Sequence, residues 1–438
     1  MATLSPFRAV RYNPAKVKDL GMAVAPPYDI ISPKEQQFYY DLNPYNVIRL
    51  DFGQSLASDD AKKNKYTRAA TVMRLWREQG ILTQDPKPAI YLATQDYIAP
   101  GGKKMTFTGV YALLKLEDYK TGIVKPHEKT LSKPKADRLD LTRATQSNFS
   151  PIFFLFDDKG NKAAQWMAAQ MKKKPTASFK TPSGEQHKVW VVDAPAAIKG
   201  FTKLQARQSV YIADGHHRYE TMLGYRKEAP KAIKAAAAHT LACFTPFQSP
   251  GLIILPTHRL VNGLKGFNEA KLKQDLSADF DLKSHPSLES LEKAMAAADK
   301  AARTAKPGKE PHVFGLCLSG SLYSLTLKAG VDPLKVIKDK RSAAYKRLDV
   351  SLLQALVLEK VLKMTPASIA AQEGLTFEKS AVKTAGAVQA GTAQAGFLLN
   401  PTRMDQLKDV SDAKDVMPQK STFFQPKLIT GAILRSMA

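Results

Sequence analysis

Cysteine is almost absent: Cys243 and Cys317 are the two thiols among 438 residues, and they form no CxxC pair. This excludes a disulfide framework and a thiolate zinc site, so stability must come from packing. No apolar run reaches the ~18 residues of a membrane span, and the opening MATLSPFRAV lacks the apolar core of a secretory signal. Both absences predict a soluble cytoplasmic protein with no membrane partner. Three loops are missing as well: GxxxxGK[ST], GxGxxG after a strand, and GxSxG. P-loop ATPase, dinucleotide oxidoreductase and α/β-hydrolase readings therefore lose their main support.

Acidic residues are scarce beside basic ones, with 40 Asp+Glu against 65 Lys+Arg and a net charge of +25. A basic surface attracts polyanions, yet the Lys-rich stretches at 62–65, 102–104, 171–174 and 335–340 are dispersed, with no block of like charge that would form a binding tail. A solvated surface is the preferred reading, and a nucleic-acid partner is not favoured. The same field would concentrate small anions such as nucleotides or pyrophosphate.

The length predicts two or three domains. Residues 1–88 form an N-terminal segment with the Pro-rich APPYDIISP and an amphipathic helix over 58–79. In that helix Ala69, Val72, Met73 and Trp76 share a face, which places Trp76 in the core. Residues 89–262 read as a sheet-bearing core. Runs at 89–98 and 106–119 flank a turn at Pro100-Gly101-Gly102, a helix follows at 135–147, and buried strands follow at 151–156, 187–192, 209–213, 239–244 and 252–256. Residues 263–438 read as a helix-rich C-terminal domain with two short strands after the linker-like KPGKEP. No internal repeat is present. Strands mixed irregularly with helices predict an α+β fold.

The most informative segment is YIADGHHRYE (211–220). A strand ending near Ala213 and a helix face beginning at Tyr219 enclose Asp214, Gly215, His216, His217 and Arg218. A strand-to-helix turn of this kind points unpaired backbone N–H groups and the positive end of the helix dipole at an anion. Gly215 allows close backbone approach, Arg218 offers forked donors, and the imidazoles add donors. Asp214 has two readings, a group that holds a metal or orients substrate, or a helix cap beside wet side chains; for the cluster the functional reading is preferred. A zinc site is disfavoured because neighbouring histidines rarely point at one ion and no HExxH spacing occurs.

A second constellation is Lys125-Pro126-His127-Glu128. Pro126 stiffens the backbone, and Glu128 is either a general base or, on its residues alone the preferred reading, a helix-start glutamate beside Lys129. His127, His216, His217 and His258 are four of the eight histidines, and their clustering in short motifs favours one polar site.

The segments PFRAVR, APPYDIIS, NPYNVIRL, KPHEKT, DRLDLTRATQSNFSPIF, ADGHHRYET, LIILPTHR, LDVSLLQ, FLLNPT and MPQKSTFFQPKL run in order along the whole chain. Together they resemble a bacterial and archaeal family of formerly unknown function marked by DGHHR. Around DGHHR and KPHE that family is similar to the free serine kinases, with a ParB/sulfiredoxin-like α+β core. The resemblance implies transfer of a phosphoryl group from ATP, ADP or pyrophosphate, with Mg²⁺, to free L-serine, giving O-phosphoserine for cysteine synthesis. It assigns Glu128 and Asp214 as catalytic and Gly215, His216, His217 and Arg218 as the phosphate cradle. His127, Arg49, Arg138, Asn148, His258 and Arg259 are weaker substrate-binding candidates. The alternatives from other classes are a nucleotide-binding or nucleic-acid-associated regulator without kinase activity, and a nucleotide or pyrophosphate hydrolase. Sulfiredoxin chemistry is disfavoured because His216 stands where that loop carries a cysteine. Glu128 and Asp214 are further apart than in small free serine kinases, which implies an insertion that includes 157–186. The MPQKSTFFQPK tail either reaches the site through Lys420 or Lys427 or closes the C-terminal domain.

Overall fold

The computed structural model describes every residue except Leu131 and Arg207. It is a mixed α+β chain that divides into two compact units. The first comprises residues 1–126, 130–253 and 425–438, and the second residues 127–129 and 254–424.

The first unit holds twelve strands that precede the junction: β1 (Leu4–Ser5), β2 (Val10–Tyr12), β3 (Leu82–Gln84), β4 (Ile90–Ile98), β5 (Lys104–Lys115), β6 (Val124–Lys125), β7 (Ser147–Asn148), β8 (Ile152–Phe156), β9 (Ala177–Lys180), β10 (Gln186–Val192), β11 (Val210–Asp214) and β12 (His239–Pro246). Nine of them form one mixed sheet in the order β6-β11-β8-β12-β5-β4-β10-β9, with β1 added on β5. The hairpin β4–β5 turns at Pro100–Gly102, where Gly101 and Gly102 both take left-handed backbone angles that favour glycine. Parallel pairing of β6 with β11 sets Val124 beside Val210 and Lys125 beside Tyr211. The strands of KPHE and DGHHR therefore run the same way, and their C-terminal ends leave the same edge of the sheet. The region read as an insertion, 157–186, supplies the helix Lys162–Met171 and strand β9 at the sheet's far end.

Alternation along the strands turns Leu92, Val110, Phe154, Ile212 and Phe244 into one core under the helices Lys162–Met171, Pro195–Gln205 and His216–Glu228. Phe154 is fully buried, stacks on Phe244 at 5.5 Å and meets Tyr219 edge-on at 6.0 Å. A second core gathers the N-terminal segment around Trp76, which contacts Tyr12 and Tyr45. The helix read over 58–79 is shorter, Lys65–Glu78. Asp60 draws the N–H groups of Lys62 and Lys63 into a turn, and Asn64 then caps the helix by accepting from Tyr66 and Thr67.

The second unit is built on a six-stranded antiparallel sheet, in the order Phe280–His285, Ser321–Leu327, Val313–Leu318, Ala395–Leu398, His258–Val261, Leu375–Glu378. The stretch read as helix-rich thus carries more strand than its pattern suggests. Three of these strands, FDLKSH, LTFE and AGFL, are too short or too polar to announce themselves by alternation. The helices Leu288–Ala302 and Ala381–Gln389 cover the sheet and bury Leu291, Met295 and Val388. Among the described residues no helix is long and apolar enough to cross a membrane. Cys243 and Cys317 are buried, and burial pushes both thiols above their ordinary range.

Phe154→Ala is expected to lower the stability of the first unit by about 4 kcal/mol, as large aromatic deletions in closed cores do. Urea unfolding followed by tryptophan fluorescence checks this, and a loss under about 1 kcal/mol would show that the stack with Phe244 and Tyr219 does not hold the sheet to its helix.

Candidate functional site

Strand β11 slips register between Ile212 and Asp214, so the chain leaves the sheet at Asp214 with its carboxylate off the strand's regular alternation. Gly215 follows at φ +92° and is the N-cap residue of the helix His216–Glu228. A Cβ there would lie 3.0 Å from the Arg218 guanidinium, so both backbone angle and space require glycine. Tyr219 pins the helix from below: its hydroxyl donates to the Glu117 carbonyl at 2.7 Å and accepts from the Glu117 N–H at 3.0 Å. The result is a helix that starts on glycine where strand β11 ends, the kind of strand-to-helix turn at which the helix dipole favours negative charge.

Asp214 is the electrostatic centre of this turn. Arg218 donates from Nη2 to Oδ2 at 2.7 Å, and Lys427 donates from Nζ to Oδ1 at 2.5 Å. Burial pushes the carboxyl's pKa up, but Lys427, Arg218 and the nearby His216 together outweigh it and hold the group well below the usual carboxylate range. Arg218 also donates from Nη1 to the Pro151 carbonyl. His216 and Arg218 are buried, while His217 is half-buried. The bland alternative of a capping aspartate beside solvated side chains does not describe this loop, because the N-cap residue is Gly215 and both His216 and Arg218 are buried.

Arg138 and Asn148 lie below the loop and line, with Asp51, Ser150 and Arg218, a small cavity of about 40 Å³. Arg138 donates to the Asp51 carbonyl at 2.7 Å and carboxylate at 3.1 Å, and also binds Asp137. Its guanidinium stacks 3.9 Å from the ring centroid of Tyr28. Asp51 in turn accepts from Ser150 at 2.7 Å, and Ser150 meets the Thr430 hydroxyl at 2.8 Å. Burial raises the Tyr28 phenol to about 12 against the opposing pull of Arg138. The Asn148 side-chain oxygen accepts from the Leu241 N–H at 3.2 Å and from Arg435 at 3.1 Å. Arg49 stands apart from this network. It donates to the Pro44 and Tyr40 carbonyls and stacks on the Tyr40 ring.

The remaining candidates belong to the second unit. His127 is buried, bonds Thr422 through Nε2 at 2.9 Å, and its carbonyl accepts from the Met417 N–H at 2.8 Å. Glu128 is half-buried in an irregular segment; the next helix starts at Ser132, so it is not a helix-start glutamate. His258 is pushed down to about 4, by burial first and then by Arg259, so it is neutral near pH 7. Its Nδ1 accepts from the Leu399 N–H at 3.2 Å. Arg259 donates to the Thr257 carbonyl at 2.5 Å, and burial lowers it to about 9. Among the described residues no group of three His, Cys, Asp or Glu is arranged to hold a metal ion.

Lys427 is the residue that sequence reasoning left unassigned. The MPQKSTFFQPK tail signalled it only as one of two lysines, Lys420 or Lys427, with closure of the C-terminal domain as the equal alternative; Lys420 lies in the second unit, where its carbonyl accepts from Arg259 at 3.4 Å. A partner 213 positions from Asp214 has no local sequence pattern to announce it.

No curated protein matches the chain. Among solved structures, a conserved hypothetical protein from Pyrococcus furiosus is similar at 14% identity and a TM-score of 0.35, covering 75% of this chain and 95% of its own. A free serine kinase in complex with AMP aligns at 12% identity and a TM-score of 0.35, covering 72% and 86%. SbnI with a C-terminal truncation, from Staphylococcus aureus, aligns at 9% identity and a TM-score of 0.34, covering 74% and 86%. Resemblance at that level fixes neither activity nor ligand. The family described as protein of unknown function (DUF1015) has a model that matches residues 4–351, most of the sequence, and the chain belongs to that family.

Proposed function

We propose that the protein is a small-molecule phosphotransferase of the cytoplasm that moves a phosphoryl group from ATP, ADP or pyrophosphate to free L-serine. The observation that supports it most is the glycine-led helix start after Asp214, where Arg218 and Lys427 both converge on the Asp214 carboxylate. In this reading the first unit's sheet is a ParB/sulfiredoxin-like core, and the first-turn N–H groups cradle the donor's terminal phosphates. His216 and His217 add donors at the same helix start, and Arg218 and Lys427 supply positive charge that is already oriented when the transferring group gains charge. Asp214 positions those two cations.

Glu128 accepts the serine hydroxyl proton as the serine Oγ–P bond forms. The bond from phosphorus to the bridging oxygen breaks, and ADP, AMP or phosphate leaves, according to the donor. Mg²⁺ enters with the donor as the counter-ion of its phosphates. No loop residue is assigned to it, because the Asp214 carboxylate is already held by two cations. The product, O-phosphoserine, is a precursor suited to cysteine synthesis.

The primary test crosses ATP, ADP and pyrophosphate with L-serine in the presence of Mg²⁺ and detects O-phosphoserine by mass spectrometry. Serine-dependent product with one donor is expected. Phosphate release without an acceptor would replace the reading by a hydrolase, and neither product would replace it by a binding protein. Glu128→Gln is expected to reduce turnover about 10²–10⁴-fold with the circular-dichroism spectrum unchanged, the range for loss of a general base; undiminished turnover removes Glu128 from the mechanism. Lys427→Met is expected to lower turnover about 10²-fold, as removal of one preorganised charge donor does, and undiminished kinetics would make it a purely structural partner.

The charge cluster also predicts a pH dependence. Asp214 has a depressed folded-state pKa, so its contribution to stability is complete above the unfolded value of about 3.9 and is lost as pH falls below it. Asp214→Asn is expected to destabilise by about 3 kcal/mol at pH 7, because it strands two partly buried cations. Denaturant unfolding should find that difference constant from pH 7 to about 5 and shrinking below about 4. A difference that persists undiminished at low pH would assign the effect to packing.

A further inference from the structure

The second unit contains a polar cavity of about 400 Å³, within the roughly 300–1,000 Å³ of small-molecule sites. Its walls are the end of the helix Leu288–Ala302, the segment 305–312, the turn after the helix Ala343–Lys346, and the start of the helix Met404–Asp412. Most charged groups in these walls already have partners. Arg303 holds Asp299 at 2.8 Å, Arg403 reaches Asp299 at 3.8 Å and Asp405 at 3.3 Å, and His312 bonds Asp349 at 2.7 Å.

Glu310 accepts the Gly308 N–H at 2.6 Å, and two opposite charges, Arg347 and Asp409, remain. Among the described residues, the Arg347 guanidinium makes no side-chain hydrogen bond or ion pair, and its Nε is shielded from solvent with no acceptor. A Cβ on Gly308 would lie 3.4 Å from Arg347 Nη2, so that glycine leaves the guanidinium its room. Asp409 is exposed to solvent, lines the same cavity and forms no ion pair among the described residues. Partial burial, with Asp405 and Asp412 as like-charged neighbours, raises its carboxyl above the ordinary range, the behaviour of a carboxylate that would gain from a cation.

A guanidinium Nε shielded from water without an acceptor is costly, and the forked donors of the group match a carboxylate. A dianionic phosphate fits poorly, since Asp299, Glu310, Asp349, Asp405 and Asp409 make the walls acid-rich. A ligand carrying one negative and one positive group offers a partner to each of Arg347 and Asp409. We propose that this cavity binds a free α-amino acid as its zwitterion, with the carboxylate on Arg347 and the ammonium on Asp409. The site lies wholly in the second unit and uses none of the residues assigned to phosphoryl transfer.

The test is calorimetric titration of the full chain with the common L-amino acids, with propionate and ethylamine as single-charge controls and with inorganic phosphate. At least one amino acid is expected to bind with Kd near or below 1 mM, about −4 kcal/mol, with propionate and ethylamine at least about tenfold weaker. Arg347→Met and Asp409→Asn should each weaken binding by about tenfold or more, while Glu128→Gln leaves it unchanged. Arg347→Lys, which keeps the charge and loses the fork, decides the case if Arg347→Met fails to fold, and it too should weaken binding. Absence of amino-acid binding, tighter binding of phosphate, or binding that survives substitution of Arg347 overturns the proposal. Amino-acid binding lost in Glu128→Gln and kept in Arg347→Met would place the amino acid at the transfer site instead.

Discussion

The carboxylate of Asp214 is the constraint on which the DGHHR turn depends. A carboxylate taken largely out of water costs several kcal/mol, and that cost is recovered only where cations with good geometry replace the lost hydration. Arg218, one helical turn on, supplies one, and Lys427, near the end of the chain, supplies the other. The turn is therefore complete only when residues 425–438 have joined the first unit. Gly215 makes the pairing possible, because any side chain at φ +92° would strain the backbone and crowd the guanidinium. With Asp214 committed to side chains, the helix starts on Gly215, which has no side chain of its own to offer the first turn.

The same logic explains why conspicuous polar motifs lie so far apart in sequence. APPYDIIS contributes Tyr28, NPYNVIRLD contributes Asp51, DRLDLTRATQSNFSP contributes Arg138 and Ser150, and the C-terminal segment contributes Thr430. Each satisfies another in the interior beneath the loop, where an unpaired member would be costly. Arg138 and Asn148 are thus members of a closed network, and Arg49 is occupied by carbonyls of its own neighbourhood. Polarity within a motif marks a group that needs a partner; whether that partner is protein or substrate is decided by long-range geometry.

Local physics was legible in the sequence where one residue set the outcome. Phe153, Phe154 and Leu155 in an unbroken apolar run marked β8, and the glycines of PGG marked the β4–β5 turn. The periodicity of Ala69, Met73 and Trp76 marked a buried helix face. The start of that helix was missed because Asp60 and Asn64 form a turn and a cap within what read as helix. The six-stranded sheet was missed because its strands pair with residues far along the chain, His258–Val261 with Leu375–Glu378, and four residues are too few to show a period. Lys427 escaped assignment for the same reason, since the bond to Asp214 is visible only in three dimensions.

The net charge of +25 separates by side-chain type in a way that bears on function. Among the described residues the buried cations are arginines, Arg138, Arg218, Arg259 and Arg435, and no lysine falls in that class. Guanidinium groups are weakly hydrated and present fixed forks, so they can be satisfied by carbonyls and carboxylates inside; ammonium groups hold water more tightly and remain outside. The surplus charge is thus carried mainly by solvated lysines, whose individual contacts are screened within about 8–10 Å at ordinary salt. Their sum is a positive potential over the surface that raises the local concentration of anions without selecting among them. Selection falls to the few places where cations are fixed and dehydrated. In the proposed reading such a place is the turn where Arg218 and Lys427 converge on Asp214 at the start of the helix His216–Glu228.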